Sequence, residues 1–191
     1  MSVLEFIAAL FGVLNIVLIV KRSVWNFPAA LVMVALTAIV LWDVQLYSDA
    51  GLQLFFFIVN LIGWRLWLRH QGVEGDVIVA RLGMAGQMAW IVAALLAIWG
   101  WGWFMAMNTN ASYPWWDASV AMLSVVAQIL MTRRYINNWH WWVVVNLISI
   151  GLYWQKQLYW FTGLYVLFLG MAIWGLIEWR RAEARQRAAA L

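Results

Sequence analysis

Seven apolar runs follow one another along this chain, separated only by short polar breaks, at approximately 3–20, 26–43, 49–68, 81–104, 115–132, 139–154 and 160–179. Uninterrupted apolar stretches of roughly 17–25 residues are what a bilayer core demands of a crossing helix. A helix also satisfies its own backbone hydrogen bonds where no water can do so. The breaks are KRS at 21–23, DVQLYSD at 43–49, RHQGVEGD at 69–76, NTNASYP at 108–114, TRRYINN at 132–138 and QKQ at 155–157. The sixth run is short for a straight crossing, and its neighbouring tryptophans can extend it into the interface.

Composition closes off the soluble alternative. Hydrophobic residues make up 66% of the 191 positions and charged residues only 10%, against about 25% charged in a soluble domain. Too few charges are present to build a polar shell. The expected fold class is all-α integral membrane. Cysteine is absent, which removes disulfides, thiolate nucleophiles and Cys-based metal sites. The first run has no basic segment or small-residue cleavage site before it, so LEFIAALFGVLNIVLIV reads as a retained helix and not a cleaved signal.

The basic excess points to topology and not to nucleic acid. Lys21, Arg22, Arg65, Arg69, Arg81, Arg133, Arg134, Arg180, Arg181, Arg185 and Arg187 all fall on one side of a seven-span arrangement, and only Lys156 falls on the other. The positive-inside rule then puts the C-terminus in the cytoplasm and the N-terminus outside.

An internal repeat organises the spans. Displaced by 112 positions, the first third of the chain aligns with the last third without a gap: WDVQLYSDAGL (42–52) lies over WQKQLYWFTGL (154–164). Arg22 meets Arg134, Asn26 meets Asn138, Phe56 meets Phe168, Gly63 meets Gly175, Trp67 meets Trp179 and Arg69 meets Arg181. Two three-span units pointing the same way need one span between them. The expected plan is therefore a first repeat over 1–70, a linker loop and connecting helix over 71–112, a second repeat over 113–180, and a basic tail over 181–191. Parallel repeats of this kind are a transporter device that holds substrate near the midplane.

The repeat also separates scaffold from chemistry. Residues shared by both copies serve the fold: Gly51 with Gly163 and Gly63 with Gly175 are read as close helix approaches. Trp42 with Trp154 and Trp67 with Trp179 are read as interfacial anchors. Polar residues found in one copy only are the candidates for function. Asn146 lies over Val34, Trp142 over Ala30, Tyr153 over Leu41, Gln128 over Ile16, Asn60 over Ala172 and Asn15 over Ala127.

Trp142, Asn146 and Tyr153 fall on one face of a helix, with Ser149 beside them. That stripe offers two aromatic surfaces, an amide that both donates and accepts, and two hydroxyls. The competing reading is that Asn146 simply bonds a neighbouring helix, an interaction averaging about 0.6 kcal/mol in membranes. Glu5, Asp43, Asp49 and Asp117 lie near span ends and can reach interfacial water. His70 reads as a solvated loop residue and His140 as a weak candidate for a pH-sensitive gate. The two histidines lie far apart without a carboxylate or thiolate cluster, so neither a metal nor a cofactor is expected. No phosphate-binding loop or Ser-His-Asp arrangement stands out, and an enzyme is not expected.

The pattern Trp-x3-Asn-x6-Tyr at Trp142, Asn146 and Tyr153 resembles that of the PnuC vitamin-precursor transporters. Residues 21–68 resemble the family's first repeat and 117–154 its second, so the likeness covers nearly the whole chain apart from the connecting span and the tail. The resemblance implies two three-helix bundles joined by one helix, as in the sugar-transporting SWEET proteins. It also implies facilitated diffusion of nicotinamide riboside across the bacterial inner membrane, which makes the outer side the periplasm, trapping by a cytoplasmic kinase, and a homotrimer. Family members often have Glu-Asn-Trp where this chain has Asn137, Asn138 and Trp139, and Trp-Pro where it has Phe27 and Pro28.

The residue chemistry fits that substrate. Trp142 and Tyr153 can meet a pyridinium cation, an attraction worth about 2 kcal/mol or more when desolvated. Asn146 can pair with the carboxamide, and Gln128 or Asn60 with ribose hydroxyls. Thiamine, or another vitamin or nucleoside, is the alternative cargo, since thiamine also carries a cationic ring and an amine. A membrane subunit without a ligand is the remaining alternative. Lipids are the expected surroundings, and nucleic acid is not an expected partner.

Overall fold

In the computed structural model, residues 3–43, 47–72, 77–109 and 112–189 are described. They form seven helices: α1 (Val3–Val20), α2 (Asn26–Asp43), α3 (Tyr47–Leu68), α4 (Met84–Asn108), α5 (Pro114–Thr132), α6 (Asn138–Gln155) and α7 (Tyr159–Ala188). Each expected span is a helix. The side chain of Asp49 and the surroundings of Gly51 lie outside what the structure describes.

Helices α1, α4, α5 and α7 are each long and apolar enough to cross a membrane, and α2 and α3 hold shorter apolar stretches, Asn26–Val40 and Leu52–Leu68. Helix α6 is diluted by Asn138, His140 and Asn146. The boundaries depart from expectation at two places. Helix α4 starts at Met84 and not at 81, because 77–82 is extended chain. Helix α7 runs beyond 179 to Ala188. Its last turns are rich in Ala, Arg and Glu, all strong helix formers. Ion pairs from Arg181 to Glu178 (2.7 Å) and from Arg187 to Glu183 (2.8 Å) tie adjacent turns.

The chain divides into two compact units, one made of 1–79, 132–134 and 182–191, the other of 80–131 and 135–181. In the first unit α2 packs against both α1 and α3. Gly12 of α1 admits the Met33 sulfur, which would lie 3.2 Å from a Cβ at that position. Phe27 at the start of α2 meets Trp67 near the end of α3 edge to face, with ring centroids 5.2 Å apart at 90°. Both rings are fully buried. Gly63, one turn before Trp67, leaves the room that the Phe27 ring fills.

The second unit repeats that joint. Trp139 meets Trp179 edge to face at 5.6 Å and 86°, and Gly175 lies under the Trp139 ring. The expectation that Trp67 and Trp179 are interfacial anchors is therefore wrong. Both are 0% exposed, because a glycine four residues earlier lets the ring of Phe27 or Trp139 settle close, and the indole packs edge to face with that ring. Trp42 and Trp154, at 63% and 60% exposed, keep the exposure that an interfacial anchor needs. Gly163 does not mediate a close approach, since nothing lies within 4 Å of where its Cβ would stand.

The turns leaving α1 and α5 are alike too. Arg22 and Arg134 adopt left-handed φ of 57° and 62°, unusual for residues other than glycine. In each, the next amide closes a wide hydrogen bond back to the helix, Ser23 N–H to Leu18 O (2.9 Å) and Tyr135 N–H to Leu130 O (3.0 Å). This is the Schellman ending. Asn26 Nδ2 donates to Ser23 O and Asn138 Nδ2 to Tyr135 O, each at 2.7 Å. The arginine guanidiniums explain why glycine is not used: Arg22 Nη1 reaches Val77 O (3.5 Å) and Arg134 Nη1 reaches Ile78 O (2.8 Å).

The extended segment continues along the second unit. Ile136 N–H donates to Ala80 O (2.9 Å), and Leu82 N–H donates to Asn137 Oδ1 (2.9 Å). That last bond shows why an asparagine is acceptable at 137 where Glu is common in the resembling family, since either side chain supplies an oxygen acceptor.

The core of the second unit is Ala94 of α4, Leu123, Val126 and Leu130 of α5, and Val145 of α6. Pro114 opens α5, its missing N–H costing nothing at a first helical position. Trp116 then donates its indole N–H to Ile148 O at 3.0 Å, fixing α5 on α6.

Candidate functional site

Five of the six candidate residues lie in the second unit. Asn146 is 4% exposed and Ser149 0% exposed, although both are polar and sit well inside α6. No hydrogen bond joins the Asn146 amide to the described residues, and Ser149 Oγ is buried without a hydrogen-bond partner. Leaving a buried polar group unmatched costs about 1–3 kcal/mol in protein. Among the described residues, the reading in which Asn146 glues two helices together lacks a hydrogen-bonded partner.

Trp142 is half-buried, one turn before Asn146, and packs against the core cluster of α4, α5 and α6. Gln128 on α5 is 8% exposed and has a partner of its own. Asn60 is buried in the first unit, and its Nδ2 donates to Phe56 O one turn back, at 2.8 Å.

Tyr153 does more than stripe geometry foresees. Its ring stacks on two rings of α7, Phe161 (5.3 Å, 23°) and Tyr165 (5.1 Å, 20°), and Tyr165 meets Phe168 edge to face at 5.8 Å. The Tyr165 hydroxyl faces both Tyr153 and Ser149. Tyr165 and Phe161 are the residues that sequence reasoning missed. The signal lay in the short turn between α6 and α7, where Gln157 takes a left-handed φ of 58°. Leu158 N–H closes the helix end onto Tyr153 O at 2.9 Å. In such a helical hairpin, residues equally distant from the turn face each other: Tyr153 with Phe161, and Ser149 with Tyr165.

At the same end of α6, Lys156 Nζ pairs with both Asp117 oxygens, at 2.9 and 3.2 Å, tying the last turn of α6 to the first of α5. At the other end, Arg180 donates to His140 Nε2 at 3.1 Å, which fixes the imidazole as an acceptor there.

Long apolar helices make this an integral membrane protein, and its second unit buries an amide, a hydroxyl and an aromatic stack. The chain matches the model of the nicotinamide mononucleotide transporter family over residues 2–181. It belongs to that family. It is 28% identical to the nicotinamide riboside transporter PnuC of Escherichia coli (strain K12), over 98% of this chain and 88% of the relative. It is 26% identical to the riboflavin/roseoflavin transporter RibM of Streptomyces davaonensis, over 92% of this chain and 83% of the relative. A crystal structure of the vitamin B3 transporter PnuC superposes with a TM-score of 0.78 at 26% identity, covering 95% of this chain and 82% of that one.

Proposed function

We propose that the protein carries nicotinamide riboside across the bacterial inner membrane by facilitated diffusion. The observation that carries this reading is Asn146: a buried amide, present in only one of the two repeats, with no hydrogen bond to the described residues. A substrate carboxamide pairs with it reciprocally and supplies the missing donor and acceptor. Trp142 meets the cationic ring from the adjoining turn, Tyr153 and Ser149 close the same face, and Gln128 serves a polar group of the cargo. Its kinship with the E. coli nicotinamide riboside transporter supports the substrate.

All seven helices cross the membrane in this reading, as two three-helix repeats joined by α4. The basic C-terminus is cytoplasmic and the N-terminus periplasmic, as the one-sided distribution of Lys and Arg favours. The carrier is a uniporter. Glu5, Asp43 and Asp117 stand in the first or last turn of their helices, away from the middle where a coupled proton or sodium ion would bind. Net uptake then follows from a cytoplasmic kinase that phosphorylates the riboside. The assembly is a homotrimer, as the family resemblance implies.

A second reading keeps the fold and changes the vitamin, to thiamine or a flavin; kinship with a riboflavin/roseoflavin transporter favours keeping it in view. Uptake into proteoliposomes with nicotinamide riboside, thiamine and riboflavin in competition separates the two. Saturable riboside uptake unaffected by a pH gradient is expected. Uptake of another vitamin in preference to the riboside would overturn the substrate, and flux driven by the gradient would overturn the uniport.

A further inference from the structure

Arg180 on α7 donates to Nε2 of His140 in the first turn of α6, at 3.1 Å. Arg81, just ahead of α4, lies within electrostatic reach of the same imidazole. Three basic side chains therefore gather at one end of the second unit. The α7 carboxylates beside them bond other arginines, Glu178 with Arg181 (2.7 Å) and Glu183 with Arg187 (2.8 Å). Among the described residues Arg180 makes no ion pair, only its bond to an imidazole nitrogen that accepts. That bond takes one of the five guanidinium donors and holds the planar fork in place, and such a fork matches phosphate oxygens in pairs.

Beyond this basic head the outer surface is apolar. Val144 and Leu147 follow His140 along one face of α6, at +4 and +7, and Ile177 and Ile173 precede Arg180 along one face of α7, at −3 and −7. All four aliphatic side chains are exposed, whereas Asn146 and Ser149 are buried on the other side of α6. This surface is thus separate from the face proposed for the cargo.

We infer that Arg180, Arg81 and His140 hold the phosphate of an anionic phospholipid whose acyl chains lie along the outer stripes of α6 and α7. Basic clusters between membrane helices are suited to acidic headgroups. Inorganic phosphate fits the head of this surface but leaves the apolar stripes uncovered. A zwitterionic lipid covers the stripes but brings its own ammonium up to three basic groups. By bridging His140 and Arg180, the lipid clamps the start of α6 to α7. The site does not depend on which vitamin is carried.

The test is the thermal midpoint of the purified protein in detergent with added phosphatidylglycerol, phosphatidylcholine or inorganic phosphate. Phosphatidylglycerol should raise the wild-type midpoint by about 3 °C more than phosphatidylcholine does, and inorganic phosphate should not substitute for it. Arg180→Gln should lose most of that difference and Arg81→Gln part of it. Arg187→Gln, which removes an arginine already paired with Glu183, should keep it. Equal shifts from the two lipids, an undiminished difference in Arg180→Gln, or inorganic phosphate reproducing the shift each overturn the lipid site. Should Arg180→Gln fail to fold, native mass spectrometry of the wild type with both lipids in equal amounts decides. Preferential retention of phosphatidylglycerol supports the site and equal retention overturns it. A change of oligomeric state in Ile173→Asn, with no lipid preference in the wild type, would mean that a second copy covers this face and overturns it too.

Discussion

Trp179 meets Trp139 edge to face, with ring centroids 5.6 Å apart and planes at 86°, and Gly175 makes the meeting possible. A methyl group at 175 would overlap the Trp139 ring, which is 2% exposed and has nowhere to go. Overpacking a tight core costs about 1–3 kcal/mol. Gly175→Ala should therefore lower the thermal midpoint in detergent, while Gly163→Ala, with open space around it, should leave the midpoint unchanged or raise it.

The Lys156–Asp117 pair holds α6 to α5 at an end where each side chain is about 30% exposed, 28% and 30% respectively. Removing one partner leaves the other charge partly desolvated. Lys156→Met should destabilise the protein more than the double change Lys156→Met with Asp117→Asn. A coupling of about 1 kcal/mol is expected from a double-mutant cycle on thermal unfolding.

Arg134 combines a left-handed backbone with a guanidinium bonded to Ile78 O. Arg134→Gly separates the two properties. The backbone should be relieved, because glycine has no Cβ penalty at positive φ, but the extended segment should lose its tether. Hydrogen exchange over 77–82 should quicken in this variant while global stability changes little.

Much of this fold was legible in the sequence. The helices follow from the apolar runs, and the 112-residue displacement pairs Arg22 with Arg134 and Phe27 with Trp139, positions whose local geometry is the same in both copies. Asn146 stood out because an amide inside a span needs a reason. What escaped depends on partners distant in sequence. An indole at a span end suits the interface or a buried packing site equally, and Gly63 and Gly175, one turn earlier, decided for burial at Trp67 and Trp179 by admitting the rings of Phe27 and Trp139 beside them. Tyr165 escaped for another reason. Its counterpart in the first repeat is Gln53, so both copies are polar there, and a search for polarity in one copy alone passes over it.

Trp142 is the indole nearest the Asn146 amide along α6, and it should report cargo directly. Nicotinamide riboside should quench part of the tryptophan emission saturably, and Trp142→Phe should remove most of that saturable part despite the 16 other tryptophans, 17 in all. Thiamine should quench less and only at higher concentration.

The central claim is that the Asn146 amide, left without a hydrogen bond to the described residues, is there for substrate to match. Leucine at this position is nearly isosteric and removes a buried polar group, so Asn146→Leu should fold at least as stably as wild type. The decisive measurement is nicotinamide riboside uptake by Asn146→Leu in proteoliposomes, alongside its thermal midpoint. An intact midpoint with uptake lowered at least a hundredfold is the result predicted, while wild-type uptake by the folded variant would contradict the account.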